Sequence, residues 1–229
     1  MDKTCKIELK KKFKIISPVS EIYNNFTINK KLETEGIFGE EFLITETKND
    51  FGKGILLKDN YPGWIKLKNL GFMPKSTHKV ILPNTLIYVN PDPKSTIFYP
   101  LPMGSIVRVN KQIYDWSEID IPLHGNVKKG FVPTSHLLEK EKKINNWVSL
   151  AELFLNTPYK WGGKSFYGID CSGLVQIALQ TAKNINIPRN SNQQILYAKQ
   201  VGEIINQNES GALIFWKDHV AIGLDEEHI

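Results

Sequence analysis

Cysteine is scarce: the 229 residues hold two, Cys5 and Cys171. Two thiols so far apart do not build a disulfide framework, and such sparse use fits a reducing compartment. Long hydrophobic runs are missing. The opening MDKTCKIELKKKFKIISPVS contains no apolar core of signal-peptide length. No stretch approaches the roughly 20 apolar residues of a membrane-spanning helix. The expectation is a soluble, cytoplasmic chain with no membrane partner, subject to there being no leader ahead of residue 1. Charge of one sign is not concentrated either, since 29 basic against 24 acidic residues leave +5. The one dense run, Lys10, Lys11, Lys12 and Lys14, reads as a solvated terminal segment. Nucleic-acid binding would rest on that mild charge alone and is not expected. No histidine pair has metal-ligand spacing, so neither a metal nor another cofactor is expected.

What is present suits a globular chain, with 41% apolar and 23% charged residues. Up to about residue 75, short apolar runs (Phe13–Ile16, Phe42–Thr45, Gly54–Leu57, Trp64–Leu67) alternate with turn signals such as Asn24-Asn25, Gly36, Asn49-Asp50 and Tyr61-Pro62-Gly63. Short strands at this spacing predict a small barrel. Residues 79–138 repeat the style in Thr85–Val89, Ser105–Val109 and Gly130–Val132, punctuated by prolines 91, 93, 100, 102, 122 and 133. Prolines exclude helices and favour edge strands and turns. Glu139–Lys143 reads as a charged linker. Beyond it, apolar residues at 147, 150, 151, 154 and 155 have helical spacing, halted by Asn156-Thr157-Pro158. Leu174, Val175, Ala178, Leu179 and Ala182 mark one face of a second helix, and Ala212–Phe215 and Val220–Leu224 read as strands. The expected fold is α+β, in three parts: residues 1–77, 78–140 and 141–229.

Cys171 stands in Asp170-Cys171-Ser172-Gly173, where the second helix begins. A helix N-terminus offers free N–H groups and a partial positive charge, which favour a nucleophilic thiolate and an oxyanion beside it. Position alone does not separate this from a buried structural cysteine. His219 opens an apolar strand in Lys217-Asp218-His219-Val220-Ala221-Ile222 and is the natural general base. The bland alternative is a strand-edge histidine. His78, His124, His136 and His228 lack that context. Tyr159-Lys160-Trp161-Gly162-Gly163 has aromatics fit to wall a cleft, or merely to pack a corner. Pro188-Arg189-Asn190-Ser191-Asn192-Gln193 offers its polar side chains, Asn190 and Ser191 among them, to a peptide carboxylate or amide, or is a polar turn.

Taken together, the strings Pro158-Tyr159-x-Trp161-Gly162-Gly163, Asp170-Cys171-Ser172-Gly173-Leu174, Pro188-Arg189 and His219-Val220-Ala221-Ile222 resemble the NlpC-type papain-like cysteine peptidases over about residues 145–229. Leu57-Lys58-Asp59-Asn60-Tyr61-Pro62-Gly63-Trp64, with Phe38-Gly39-Glu40 ahead of it, resembles the bacterial SH3-type domain preceding such catalytic domains. Residues 79–138 match a second one more weakly. The resemblance implies a papain-like catalytic domain behind two SH3-type barrels. The implied reaction is hydrolysis of the γ-D-glutamyl–diamino acid bond in murein tripeptides or tetrapeptides with a free N-terminal L-alanine. It further implies that Cys171 attacks the carbonyl, His219 moves the proton and Tyr159 sits beside the oxyanion. Asp170 and Ser172 would meet the substrate's amine and polar groups, and Tyr61 would reach across from the barrel to close the cleft. Asp170 also suits an amine because a carboxylate pairs with an ammonium. With cytoplasmic placement, this implies recycling of wall fragments.

Two departures stand out. Such peptidases orient the histidine with a third polar residue about a dozen positions later, near 231, whereas the sequence stops at Ile229 and His228 comes too early. The expectation is a truncated catalytic fold. Ala212 stands where an aspartate is usual. Two other functions remain open: a papain-like amidase or acyltransferase on the same Cys171–His219 site, and a non-catalytic peptidoglycan-binding module. Diamino acid preference and oligomeric state are not set by the sequence.

Overall fold

Alternating residues of the first module turn apolar side chains to one side, as a half-buried sheet requires. In the computed structural model, which describes residues 10–229 except 124, this gives β1 (Lys11–Ile15), β2 (Val19–Tyr23), β3 (Leu32–Ile37), β4 (Glu41–Lys48), β5 (Phe51–Leu56), β6 (Tyr61–Lys66) and β7 (Leu70–Gly71). They pair antiparallel in the order β3-β2-β6-β5-β4-β1-β7, leaving β3 at an edge. Ile15, Ile22, Phe42, Ile44, Leu56 and Ile65 are fully buried beneath it. Each such side chain contributes roughly 1.5–3 kcal/mol. In the lysine run, Lys10, Lys11 and Lys12 are exposed, as a solvated segment requires, but Lys11, Lys12 and Lys14 belong to β1, and Lys14 departs from that reading: it is half-buried, donating to Pro74 O at 2.7 Å and Ser76 Oγ at 3.0 Å. Cys5 and His124 lie outside the described residues.

The second module comprises β8 (His78–Val80), β9 (Asn84–Tyr88), β10 (Ile97–Pro102), β11 (Ile106–Val107), β12 (Val109–Ile113), β13 (Trp116–Leu123), β14 (Asn126–Pro133) and β15 (Leu137–Glu139). They form a five-stranded sheet, β10-β9-β14-β13-β12, and a three-stranded one, β11-β8-β15. The prolines obey the backbone rule. Pro100 and Pro102 lie on edge strand β10, and Pro122 lies beyond Ile119, the last β13 residue paired with β12. Val80, Ile87, Leu101, Val107, Ile119, Ile121 and Val132 form the core, joined by Phe38 of the first module. Gly39 makes that junction possible. Its φ is +86°, and a Cβ there would stand 2.2 Å from Ile106 O.

The third module holds α1 (Val148–Glu152), the hairpin β16 (Lys164–Ser165) and β17 (Gly168–Ile169), α2 (Cys171–Lys183), α3 (Ser191–Val201), β18 (Leu213–Trp216) and β19 (His219–Ile222). α2 buries Val175, Ile177, Ala178, Leu179 and Ala182 against α1 and β19. Asn184 ends it in the left-handed conformation at φ 58°. The first helix is shorter than its periodicity predicts. Residues 153–157 tighten into turns with i→i−3 bonds, and Asn156 takes φ 66° ahead of Pro158. Residues 191–201 form a helix that the sequence pattern does not announce, and its first turn takes in the end of the Pro188–Gln193 stretch. It is anchored not by an apolar stripe but by buried Gln194, whose Nε2 donates to Ser172 O at 3.0 Å and Pro188 O at 2.9 Å. Among the described residues, no helix is long and apolar enough to cross a membrane.

Candidate active site

Asp170 starts α2. Its extended backbone makes it the N-cap, and its Oδ1 accepts from Gly173 N at 2.7 Å. That places Cys171 in the first turn, where the chain's N–H groups are unpaired within the helix. A buried carboxylate must be matched, and Arg189 does so with two bonds, Nη1 to Oδ1 at 2.9 Å and Nη2 to Oδ2 at 2.7 Å. Gly162 N donates to Oδ2 at 2.8 Å and Ser172 Oγ to Oδ1 at 3.2 Å, so both oxygens are saturated. Gly162 can aim its N–H this way because it adopts φ +76°. Arg189 is itself buried and reaches the first module, its Nε donating to Thr34 Oγ1 at 2.8 Å.

Tyr159 is brought alongside by a parallel bridge to Ile169. Its phenol faces the Cys171 thiol and backbone N–H, and its pKa is pushed up by burial first and then by Cys171 and Asp170. A cleft of about 230 Å³ opens here. Its walls bring together Tyr61, Tyr159, Trp161, Asp170, Cys171, Ser172, Asn190 and Ser191, all expected from the sequence. Arg189 and Asn192, from the stretch whose polar side chains the sequence offers to a peptide, line it too, whereas Glu33 and Asp218 were not expected. His219 is not among the lining residues. It follows Asp218 directly and is exposed, and its ring lies 5.8 Å from that of Trp216. β19 runs beside α2, with Val220 and Ile222 buried in the shared core. His228 bonds Asp225, with Nδ1 2.9 Å from both oxygens. Ala212 lies just ahead of β18, outside the cleft lining. Among the described residues, no cluster of His, Cys, Asp or Glu suits a metal ion.

Glu33 is the main addition. Its Oε2 accepts from Tyr61 Oη at 3.1 Å, so the first module supplies a carboxylate and a phenol to a cleft whose sulfur comes from the third. The Tyr61 pKa is raised by burial, with Glu33 adding to the rise and Asn190 opposing it. The signal was period two. Glu33 and Glu35 stand two apart on edge strand β3 and so share one face. Glu35 accepts from Lys160 Nζ at 2.5 Å, Lys164 N at 2.8 Å and Ser165 Oγ at 3.0 Å. Behind it, the fully buried Lys164 and Glu40 pair at 3.2 Å. Burial pushes the Glu40 carboxyl up, but Lys164 and Lys58 outweigh it and hold the group below its ordinary range. Gln176 Nε2 on α2 adds a bond to Asp59 Oδ2 at 2.9 Å. The first module is thus fixed to the third by polar contacts, most of them with the β16 hairpin and one with α2.

Residues 156–229 match the NlpC/P60 family, and residues 22–70 match the bacterial dipeptidyl-peptidase SH3 domain. The third module is an NlpC/P60 domain. Gamma-D-glutamyl-L-lysine dipeptidyl-peptidase of Bacillus cereus (strain ATCC 10987 / NRS 248) is 27% identical over 199 residues, covering 72% of this chain and 54% of that protein. The protein of the same name from Bacillus subtilis (strain 168) is 25% identical, covering 81% of this chain and 64% of its own length. The chain therefore spans between about half and two thirds of these curated relatives. The crystal structure of an NlpC/P60 family protein from Bacillus cereus ATCC 10987 superposes with a TM-score of 0.77 at 19% identity, over 94% of this chain and 88% of that one. The arrangement of an SH3-like β-region ahead of a papain-like NlpC/P60 domain is thus a shared fold.

Proposed function

We propose that this chain is a cysteine endopeptidase of cell-wall peptides, cutting the γ-D-glutamyl–diamino acid bond of stem peptides whose N-terminal L-alanine is free. The observation that carries this reading is the pairing of Cys171 with Glu33 in one small cleft. A carboxylate at a fixed remove from the nucleophile recognises a free ammonium and counts residues from it. Asp170 was expected to meet that amine. Its oxygens already hold Arg189, Gly162, Ser172 and Gly173, so Glu33, with Tyr61, is the better receptor. An alanine whose nitrogen is acylated, as in intact wall, brings no ammonium to Glu33, which favours released fragments. Two relatives carry the name gamma-D-glutamyl-L-lysine dipeptidyl-peptidase, which supports the choice of bond.

In this reading the Cys171 sulfur attacks the γ-carbonyl carbon, and His219 takes the thiol proton and passes it to the departing amine. The Cys171 backbone N–H and the Tyr159 hydroxyl face the carbonyl oxygen as it gains charge. Water, deprotonated by His219, then breaks the thioester and frees the dipeptide. Trp161 walls the cleft, and Ser172, Asn190 and Ser191 offer hydrogen bonds to the substrate's amide and carboxylate groups. The three hydrophobic clusters support domain bounds near residues 77 and 140.

The test is incubation with L-Ala-γ-D-Glu-diaminopimelate and its N-acetylated form, with products followed by mass spectrometry. Release of L-Ala-D-Glu from the free-amine peptide alone, abolished in Cys171→Ala, is the expected result. Equal cleavage of both peptides would remove the role of Glu33. No cleavage of either by the unaltered chain would sink the enzyme assignment for this substrate.

A further inference from the structure

A second, larger cavity of about 610 Å³ opens where the three modules meet. It shares no lining residue with the cleft around Cys171. Lys14 and Lys58 come from the first module, Lys79 from β8 of the second, and Gln180 and Thr181 from the far half of α2. Gln180 stands nine positions after Cys171, about 13.5 Å along the helix.

The wall is cationic and incompletely matched. Five lysines and three glutamates line it. Of the glutamates, Glu40 is engaged by Lys164 at 3.2 Å and shared with Lys58 at 3.7 Å. Glu41 and Glu141 act on Lys14 and Lys79 only through longer-range attraction. Lys79 Nζ donates to two neutral oxygens, Lys142 O and Asn184 Oδ1, both at 2.7 Å. Lys14 likewise bonds only neutral oxygens, those of Pro74 and Ser76. Burial pushes the Lys79 ammonium down to about 8, and neighbouring Lys58 adds to the fall. Lys58 is lowered by burial too, against the pull of Glu40.

Beside these ammonium groups lies a neutral polar surface without partners. Gln180 is 2% exposed and Thr181 1% exposed. Among the described residues, neither amide atom of Gln180 nor the hydroxyl of Thr181 has a hydrogen-bond partner. Buried polar groups are ordinarily satisfied, and buried like charges repel. Both conditions are relieved by one kind of occupant, a molecule with acidic oxygens and a neutral donor or acceptor.

We propose that this junction cavity binds a small, multiply charged oxyanion, its acidic oxygens meeting Lys14, Lys58 and Lys79 and a neutral polar group meeting Gln180. Phosphate and carboxylate share this chemistry. Such a site would be distinct from peptide cleavage and would tie all three modules to one ligand.

The experiment is isothermal titration calorimetry of the full chain at low salt with pyrophosphate and, separately, citrate. Saturable one-to-one binding of at least one probe is expected, undiminished in Cys171→Ala. The probe that binds more tightly identifies phosphate or carboxylate as the preferred group. Lys79→Met should weaken binding at least tenfold. Because Lys79 also holds Asn184, Lys14→Met and Gln180→Leu serve as independent variants, each expected to weaken binding several-fold. Absence of saturable binding to both probes would overturn the site and leave a hydrated junction. Binding unchanged by Lys14→Met and Gln180→Leu would overturn it as well, marking surface adsorption.

Discussion

The two β-modules are built by the same rules and employed differently. Each turns alternate apolar residues into its own core. The first then sends polar side chains outward into the NlpC/P60 domain: Glu33 and Tyr61 into the cleft, Thr34 to Arg189, Glu35 and Glu40 to the β16 hairpin, and Asp59 to α2. The second lends no residue to the cleft. It meets the third module through Met103, buried in that module's core, and through Lys79. Its main charge network, Arg108, Lys129 and Lys111 around Asp120 and Glu118, closes on itself. A shared type of sheet therefore says little about role. What distinguishes the modules is which polar residues stand on the strands facing the third.

The largest expected effect tests the strength of that first junction. Lys164→Met leaves Glu40 fully buried without its main partner, and removing one side of a buried pair costs about 3–5 kcal/mol. Urea unfolding would show it as a lowered midpoint. Adding Glu40→Leu should recover only part of the loss, because it removes the unmatched carboxylate but leaves Lys58 and Ile37 N without their partner. A single-variant cost below about 1 kcal/mol would mean that the two modules are attached alike.

A smaller effect is expected on function. Glu33→Gln keeps shape and removes charge, and hydrogen bonds to charged groups are worth about 1.5–3 kcal/mol. The predicted loss in kcat/KM on the free-amine tripeptide is about 10- to 100-fold, carried mainly by KM. Asp120→Asn, which disturbs the second module's own network, should leave kcat/KM unchanged. Equal losses would erase the distinction between the modules.

Acid should act on the same junction. The Glu40 carboxyl is held below its ordinary value of 4.5, so the unfolded chain takes up the proton first as pH falls. Its contribution is complete above about pH 4.5 and is lost as pH drops through the lower folded value. Glu40→Gln should thus flatten the fall in stability below pH 4.5, measured by thermal melts across pH 3 to 6. An unaltered slope would assign the acid response to other carboxylates, such as Asp120, whose partners Lys129 and Asn110 likewise outweigh burial.

Much of this was legible in the sequence, for physical reasons. Alternation of apolar residues is local, so strands such as β4 and β9 lie close to where the pattern placed them. Cys171 at a helix start was visible because Asp170 caps and an apolar face follows. Ten lining residues of the cleft, Arg189 and Asn192 among them, were legible from short motifs. What was missed is long-range or polar. α3 depends on Gln194 bonding Ser172 O, a contact across 22 residues that no periodicity records. Glu33 comes to the cleft only because β3 docks against β16, and Arg189 matters through Thr34, 155 residues away in sequence. Polar contacts of that kind are made by the assembled fold: period two puts Glu33 and Glu35 on one face of β3, but nothing local says what that face meets.

The smallest prediction probes the second module's surface. Lys111 and Glu118 pair at 3.4 Å across β12 and β13, with Lys111 60% exposed. An exposed pair loses to water and to side-chain entropy most of what it gains by attraction, so Lys111→Ala should cost about 0–1 kcal/mol and leave peptide cleavage unaltered. The contrast with Lys164 is the point, since both are lysines pairing with glutamate and only burial separates them. Should Lys111→Ala lower kcat/KM while the melting temperature stays fixed, the second module's outer face would be engaging substrate, and the division of labour between the two modules would have to be redrawn.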